Sequence, residues 1–401
     1  MNIVSIVDES SASACLAKVH SIVESSRSDV KSRLYFHFLL MGQLSEEQWL
    51  HAVRCLNINA EAKRWRGLPE HLIGALSGLQ FNTEIIMARL YFLEYFPGMH
   101  ENVESKYLYL DNDIVVTCDL SDLFDSELLI NSAVGATTMQ THATTTASVS
   151  AHHAHTGNKL QDLVKAAISS PKGVAKAPPA AVAFVYDEHP MNRVYVQTHF
   201  NHSHPRVKAF IHGVNHELFL NGGVALVSTE QWQRQHVTHR AEILLQENNF
   251  ETDKNQPVIW TDSAGDQGLF YVLFQGVHTA RLHPRFNMRR LPKKTVHMLS
   301  EGMTGIVHFA GSTFGDMELL CREPLKYPIF ISGAVPLFLS VTQSYNMKCQ
   351  ANDQHFKFKP VCAEAVQELA VHLKANSLSV SYNPGLGSFI WPPAMPLKSA
   401  Q

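Results

Sequence analysis

The stretch YLYLDNDIVVTCDLSDLF, residues 107–124, places two carboxylates between two apolar runs. Tyr107-Leu108-Tyr109-Leu110 reads as a short buried strand and Ile114-Val115-Val116 as a second extended run. Asp111 and Asp113 therefore stand where a strand emerges from a core. Side chains two residues apart on extended backbone point to the same side. Two hard oxygen donors so placed suit a divalent cation, Mg²⁺ or Mn²⁺, with positions left open for phosphate oxygens. The plainer reading is a strand end entering a polar turn, with Asp119 and Asp122 capping the short helix predicted at SDLF.

Upstream, residues 2–7 form an apolar strand ending at Asp8-Glu9, followed by a helical pattern through Cys15, Leu16, Val19, Ile22 and Val23, then a second strand, Leu34–Leu40. Strand, helix, strand at this spacing opens a doubly wound α/β unit. Ligands bind beyond the carboxyl ends of such strands, which puts Asp8 and Glu9 at a site edge; a turn capped by Asp8 or Ser10 is the alternative. Residues 44–63 read as a helix, and FNTEIIMARLYFLEYFP from Phe81 as another, its apolar stripe made of Ile85, Ala88 and Phe92. Arg89 within that helix either pairs with a carboxylate or reaches an anionic ligand.

Composition bounds the rest. A chain of 401 residues with 45% apolar content can bury a large core, and a net charge of −3 argues against a general nucleic-acid binder. The six cysteines lie far apart with no C-x-x-C pair, so free buried thiols in a reducing compartment are expected. No signal-like or membrane-spanning segment opens the chain, and a cytoplasmic location is the expectation.

From Thr137 to about His216 the pattern weakens into Thr-, Ala- and His-rich sequence, read as a flexible excursion whose histidines are solvated. Regular structure returns at HELFLNGGVALVSTEQWQRQ. Asn221 and the pair Gly222-Gly223 stand at a strand mouth where another group can come close to the backbone, and Ser228 starts a helix carrying Trp232. SAGDQGLFYVLFQG puts Asp266 and Gln267 at a helix start, either as dipole stabilisers or facing a sugar. TGIVHFAGSTFG ends a strand at His308 beside a glycine-bearing loop with Gly311, a place for an ion ligand or a structural histidine.

The apolar opening strand with Asp8, the ARL helix, YLDND, LNGGV, DQGL and VHFAG occur in an order and spacing that resemble glycosyltransferase family 8 over residues 2–320. The resemblance implies a GT-A fold, an α/β architecture with a Rossmann-like mixed sheet flanked by helices, over residues 1–322. It also implies an insertion at about 140–215 and a small extension at 323–401. It further implies Mn²⁺ or Mg²⁺, a nucleotide-sugar donor of the UDP type, and a glycan, lipid-linked or protein acceptor.

Residue by residue, Asp111, Asp113 and His308 match the family's metal ligands. Asp8 matches the position near uracil and Arg89 the donor-contacting arginine. Asn112 lies within the metal motif and is assigned to donor binding with Asn221, Gly222 and Gly311, while Asp266 and Gln267 match residues around the transferred sugar. Two positions depart from the pattern. Phe314 stands where the family has a diphosphate-contacting lysine, with Arg322 or Lys326 as candidate substitutes, and Thr137, Thr138 and Met139 follow Gly135-Ala136 where an aspartate is common.

Beyond residue 322, FKFKPVCAEAVQELAVHLKA reads as a strand and an amphipathic helix, and the tail NPGLGSFIWPPAMPLK groups Phe389, Ile390 and Trp391. Its basic content is thin, so packing against the catalytic domain is expected, with weak membrane contact as the alternative.

Overall fold

The structure is a computed structural model and describes residues 1–76, 83–100, 106–124, 180–188, 196–211, 218–248, 259–261, 265–274, 279–289 and 304–308, with short runs at 341, 344–345, 348–349, 381–383 and 388–390. The predicted opening is present: strand β1 (Asn2–Val7), helix α1 (Ala12–Ser25) and strand β2 (Tyr35–Leu40). The helix expected over 44–63 is confined to Glu46–Arg54, and β3 (Asn59–Arg64) follows it. Asn57 takes a positive φ of 54°, a left-handed turn that ends the helical run and sends the chain back along β2.

Seven strands form the main sheet in the order β3-β2-β1-β4-β7-β6-β8. Here β4 is Lys106–Leu110, β6 Val182–Glu188, β7 Leu218–Ser228 and β8 Thr279–Arg281. The first four neighbours run parallel, and β7 alone is reversed, pairing antiparallel with β4 on one side and β6 on the other. One apolar layer, with α1, Trp49 and Leu56, covers one face; Leu72, Phe92, Trp232, Leu245 and Phe270 cover the other. The result is the helix-flanked mixed sheet expected from the sequence.

Three local readings change. The expected excursion over 137–216 includes β6, whose residues Val182–Val185 are buried in the middle of the sheet, so short apolar runs inside low-complexity sequence still carry core. The LNGGV stretch, read as a strand mouth, is a bulge inside one continuous strand, since Phe184 pairs with Ala225 but its successor Val185 pairs with Asn221. The helix from Phe81 breaks at Arg89–Tyr91 into a 3₁₀ turn before Phe92–Tyr95, while Ala88 and Phe92 are buried as predicted.

The cysteine expectation is overturned for one pair. Cys55, just after the Glu46–Arg54 helix, forms a disulfide with Cys349 across 294 residues, while Cys15 and Cys118 are free and buried. Sequence spacing cannot show such a pairing, because it depends on the C-terminal segment folding back. There Tyr345 donates its hydroxyl to the Ala52 carbonyl at 3.0 Å, Ser344 meets His20 at 2.9 Å, and Lys348 pairs with Glu24 at 3.0 Å. The strand and helix predicted over 356–375 lie outside the described residues. Among the described residues, no helix is long and apolar enough to cross a membrane.

Candidate metal and donor site

The second sheet explains how distant residues meet. Strand β5 (Ile114–Val116) pairs antiparallel with β10 (Ile306–His308), which lies parallel to β9 (Met288–Arg289). Register puts His308 opposite Ile114, next to Asp113. His308 Nε2 lies 3.2 Å from Asp113 Oδ1 and 3.7 Å from Asp111 Oδ2. Ligand atoms of Asp111, Asp113 and His308 all fall within 4.8 Å of one another, the only such acidic, histidine or cysteine group among the described residues.

The protonation of His308 follows from a backbone donor. The Gly223 N–H donates to Asn221 Oδ1 at 2.9 Å, so Asn287 must present Nδ2 to that same oxygen, at 2.7 Å, and Oδ1 to His308 Nδ1, at 2.8 Å. An amide oxygen only accepts, so Nδ1 carries a proton, and Nε2 is the ring nitrogen left to face the two carboxylates. Two carboxylate oxygens and a ring nitrogen converging on one point make a donor set that a divalent cation would satisfy. Two carboxylates with one imidazole suit Mn²⁺. Burial pulls the Asp113 carboxyl upward, but the His308 ring, backbone hydrogen bonding and Lys18 bring it below the ordinary carboxylate range.

A second carboxylate sits one glycine away. Helix Gly265–Phe274 starts at the mouth of the site and buries Asp266, whose Oδ2 pairs with Arg89 Nη1 at 2.6 Å. Arg89 also donates to the Gly222 carbonyl at 3.1 Å and stacks over the Tyr109 ring at 4.5 Å. Burial works to strip the guanidinium of its charge, and Asp266, with smaller help from Tyr109 and Asp111, outweighs it. Burial raises the Asp266 carboxyl, more than Arg89 pulls it down, with Asp111 adding to the rise. Both shifts fit a guanidinium that keeps its charge beside a carboxyl that one counter-charge does not fully compensate.

The paired glycines divide the two groups. A Cβ at Gly222 would meet Arg89 Nη1 at 2.9 Å and Asp266 Oδ2 at 3.0 Å; one at Gly223 would collide with His308 and lie 2.7 Å from Asp111 Oδ2. The close approach predicted at LNGGV is thus made by the protein's own site side chains. Gln267, half-exposed, faces the same mouth, and its Cγ would lie 3.9 Å from a Gly222 Cβ.

The structure also gathers predicted residues into roles the sequence left open. Asp8 Oδ1 accepts from the Ser11 N–H at 2.8 Å at the start of α1, and the Glu9 carboxylate accepts the Gln43 N–H, so both serve the turn after β1. Asn112 turns away from the triad: its Oδ1 accepts from Lys18 Nζ at 2.9 Å and its Nδ2 donates to the Ile6 carbonyl at 2.6 Å. Asp119 caps the SDLF helix through the Ser121 N–H at 2.8 Å, while Asp122 instead pairs with Arg285 at 3.1 Å. Gly311, Phe314, Arg322 and Lys326 lie outside the described residues. Sequence reading missed Asn287 and Lys18. Nothing distinguished Asn287 in its polar turn, whereas a lysine on the stripe of Cys15, Val19 and Ile22 was a visible signal.

Comparison with known proteins places the whole. Solved structures with similar folds include the galactosyltransferase LgtC in complex with donor and acceptor sugar analogs (16% identity, 78% of this chain and 87% of that one, TM-score 0.45). Two others are the glycosyltransferase GlyE of Streptococcus pneumoniae TIGR4 (14%, 93% and 72%, 0.43) and mouse xyloside xylosyltransferase 1 (13%, 78% and 99%, 0.42). No curated protein sequence matches the chain. The model of glycosyl transferase family 8 matches residues 2–313, a span that takes in both the aspartate pair and His308. The chain therefore belongs to glycosyltransferase family 8, and with that family go metal-dependent glycosyl transfer and the use of a nucleotide-sugar donor, typically a UDP-sugar.

Proposed function

We propose that this chain transfers a hexosyl unit from a UDP-sugar to a glycan, lipid-linked or protein acceptor with retention of anomeric configuration, using Asp111, Asp113 and His308 to hold Mn²⁺ or Mg²⁺. The observation that carries the reading is the convergence of those three side chains, with His308 Nε2 directed at both carboxylates. The cation, when bound, would neutralise the negative charge that gathers on the leaving diphosphate.

The chain's own residues supply the rest. Arg89 keeps its charge beside Asp266, which orients that carboxylate toward sugar hydroxyls. Among the described residues, Asn221 Nδ2 is buried with no hydrogen-bond partner, a donor ready for a ligand oxygen. Asp8 is assigned to the uracil end, Gly222 to the floor under the sugar and Gly311 to the diphosphate loop, while Asn112 supports the aspartate turn from the sheet side. Gln267 faces the reacting carbon and stabilises its oxocarbenium character. The anomeric carbon–oxygen bond breaks toward the diphosphate, the acceptor oxygen bonds on the same face, and the acceptor proton passes to a diphosphate oxygen.

The test is nucleotide release from a panel of UDP- and GDP-sugars with and without Mn²⁺, with Asp113→Ala as control. Release that needs the metal and disappears in the variant is expected. Neither turnover nor metal-dependent UDP binding would leave a nucleotide-independent scaffold as the function.

A further inference from the structure

Lys18 is wholly buried in α1, and nothing in the donor chemistry uses it. Its three donors have three acceptors: Ser5 Oγ at 2.7 Å, the Leu110 carbonyl at 3.0 Å and Asn112 Oδ1 at 2.9 Å. Ser5 belongs to β1, held in register by β2 and buried. Leu110 ends β4, and Asn112 is the residue between the two aspartates. One ammonium thus bolts the aspartate turn to the central strand from behind. The Asn112 amide reaches the Ile6 carbonyl with its other end, so its side chain is fixed toward the sheet at two points.

With the middle residue of the Asp111-Asn112-Asp113 bend held toward the sheet, the two flanking carboxylates lie on the other side, 3.7 and 3.2 Å from His308 Nε2. Burying an ammonium costs several kcal/mol unless every donor is matched, and an apolar residue would fill the same helix stripe without that cost. The cost is explained if the turn needs a fixed anchor.

We infer that Lys18 is a positioning residue for the metal centre, holding Asp111 and Asp113 in the ligating arrangement through Leu110 and Asn112. The inference rests on the reading of Asp111, Asp113 and His308 as metal ligands. Outer partners of this kind are worth about tenfold to a hundredfold in metal affinity.

The experiment is titration of the full chain with Mn²⁺ alone, free metal being read by electron paramagnetic resonance, for wild type, Asp113→Ala, Lys18→Met and Asn112→Ala. Thermal unfolding of each variant is followed in parallel. Wild type should bind Mn²⁺ and Asp113→Ala should not. Lys18→Met should bind at least about tenfold more weakly while still unfolding cooperatively. Asn112→Ala, which keeps Lys18 and its bonds to Ser5 and Leu110 but removes the link to the aspartate turn, should weaken binding in the same direction, and it decides the matter if Lys18→Met does not fold. Mn²⁺ affinity within about twofold of wild type in the folded variants overturns the role of Lys18 and leaves the metal site standing. Absence of Asp113-dependent Mn²⁺ binding in wild type overturns both.

Discussion

Two carboxylate groups lie on either side of the Gly222–Gly223 step, and the protein treats them in opposite ways. Asp266 is buried and answered within the chain by Arg89 at 2.6 Å. Asp111 and Asp113 are each more than a quarter exposed and face His308 Nε2, at 3.7 and 3.2 Å. One group is closed by the protein and the other is left for a cation. Adjacent glycines make this possible, since a Cβ on either would strike the group it faces.

The largest effect should come from opening the closed side. Arg89→Met leaves Asp266 buried without its counter-charge, and we expect a loss of about 3–5 kcal/mol in denaturant unfolding. The double variant Arg89→Met/Asp266→Asn should recover much of it, because the uncompensated charge is gone. Asp113→Ala, on the open side, should abolish metal-dependent turnover yet cost no more than about 1 kcal/mol of stability. Equal stability losses for Arg89→Met and Asp113→Ala would erase the distinction between the two sides.

The division also separates what the sequence made legible from what it hid. Asp111, Asp113 and His308 could be singled out because each follows or precedes an apolar strand run, and the structure brings them together through the β5–β10 register. Gly222 and Gly223 were visible as a strand-mouth pair, though not as a bulge within one strand. Arg89 was found, and its alternatives, carboxylate pairing or ligand contact, are both open to a side chain paired with Asp266 at a site mouth. Links through irregular backbone were not legible. Asn287 follows a 3₁₀ turn with no periodicity to mark it, and Cys349 reaches Cys55 only because a distant segment folds back. Strand β6 escaped for a related reason: the four buried apolar residues Val182–Val185 are a weak signal beside the long low-complexity run before them.

On the open side, a smaller effect sharpens the comparison. Asn287→Ala removes the acceptor that fixes the His308 tautomer and also frees Asn221 Oδ1 from one of its donors. Mn²⁺ affinity, read by calorimetry, should fall about tenfold to a hundredfold. The Arg89–Asp266 pair makes no contact with Asn287 through these bonds, so the stability cost of Arg89→Met should be the same with or without this substitution, within about 0.5 kcal/mol.

The smallest effect is a pH slope that belongs to the closed side alone. Asp266 has a folded-state pKa above its ordinary value of 3.8, because burial outweighs Arg89. As pH rises from about 4, the unfolded chain releases this proton first, so the native state holds more protons and loses stability through the window up to the folded pKa. The contribution is fully present below the unfolded value and gone above the folded one. Asp266→Asn has no such proton, so wild type should lose stability relative to the variant as pH rises from 4, with a slope no steeper than about 1.4 kcal/mol per pH unit. Unfolding free energies of the two proteins between pH 4 and 8 measure it. A wild type that gains on the variant over that range would mean that Arg89 outweighs burial, and the closed side would then be a fully ionised pair held together by its own attraction.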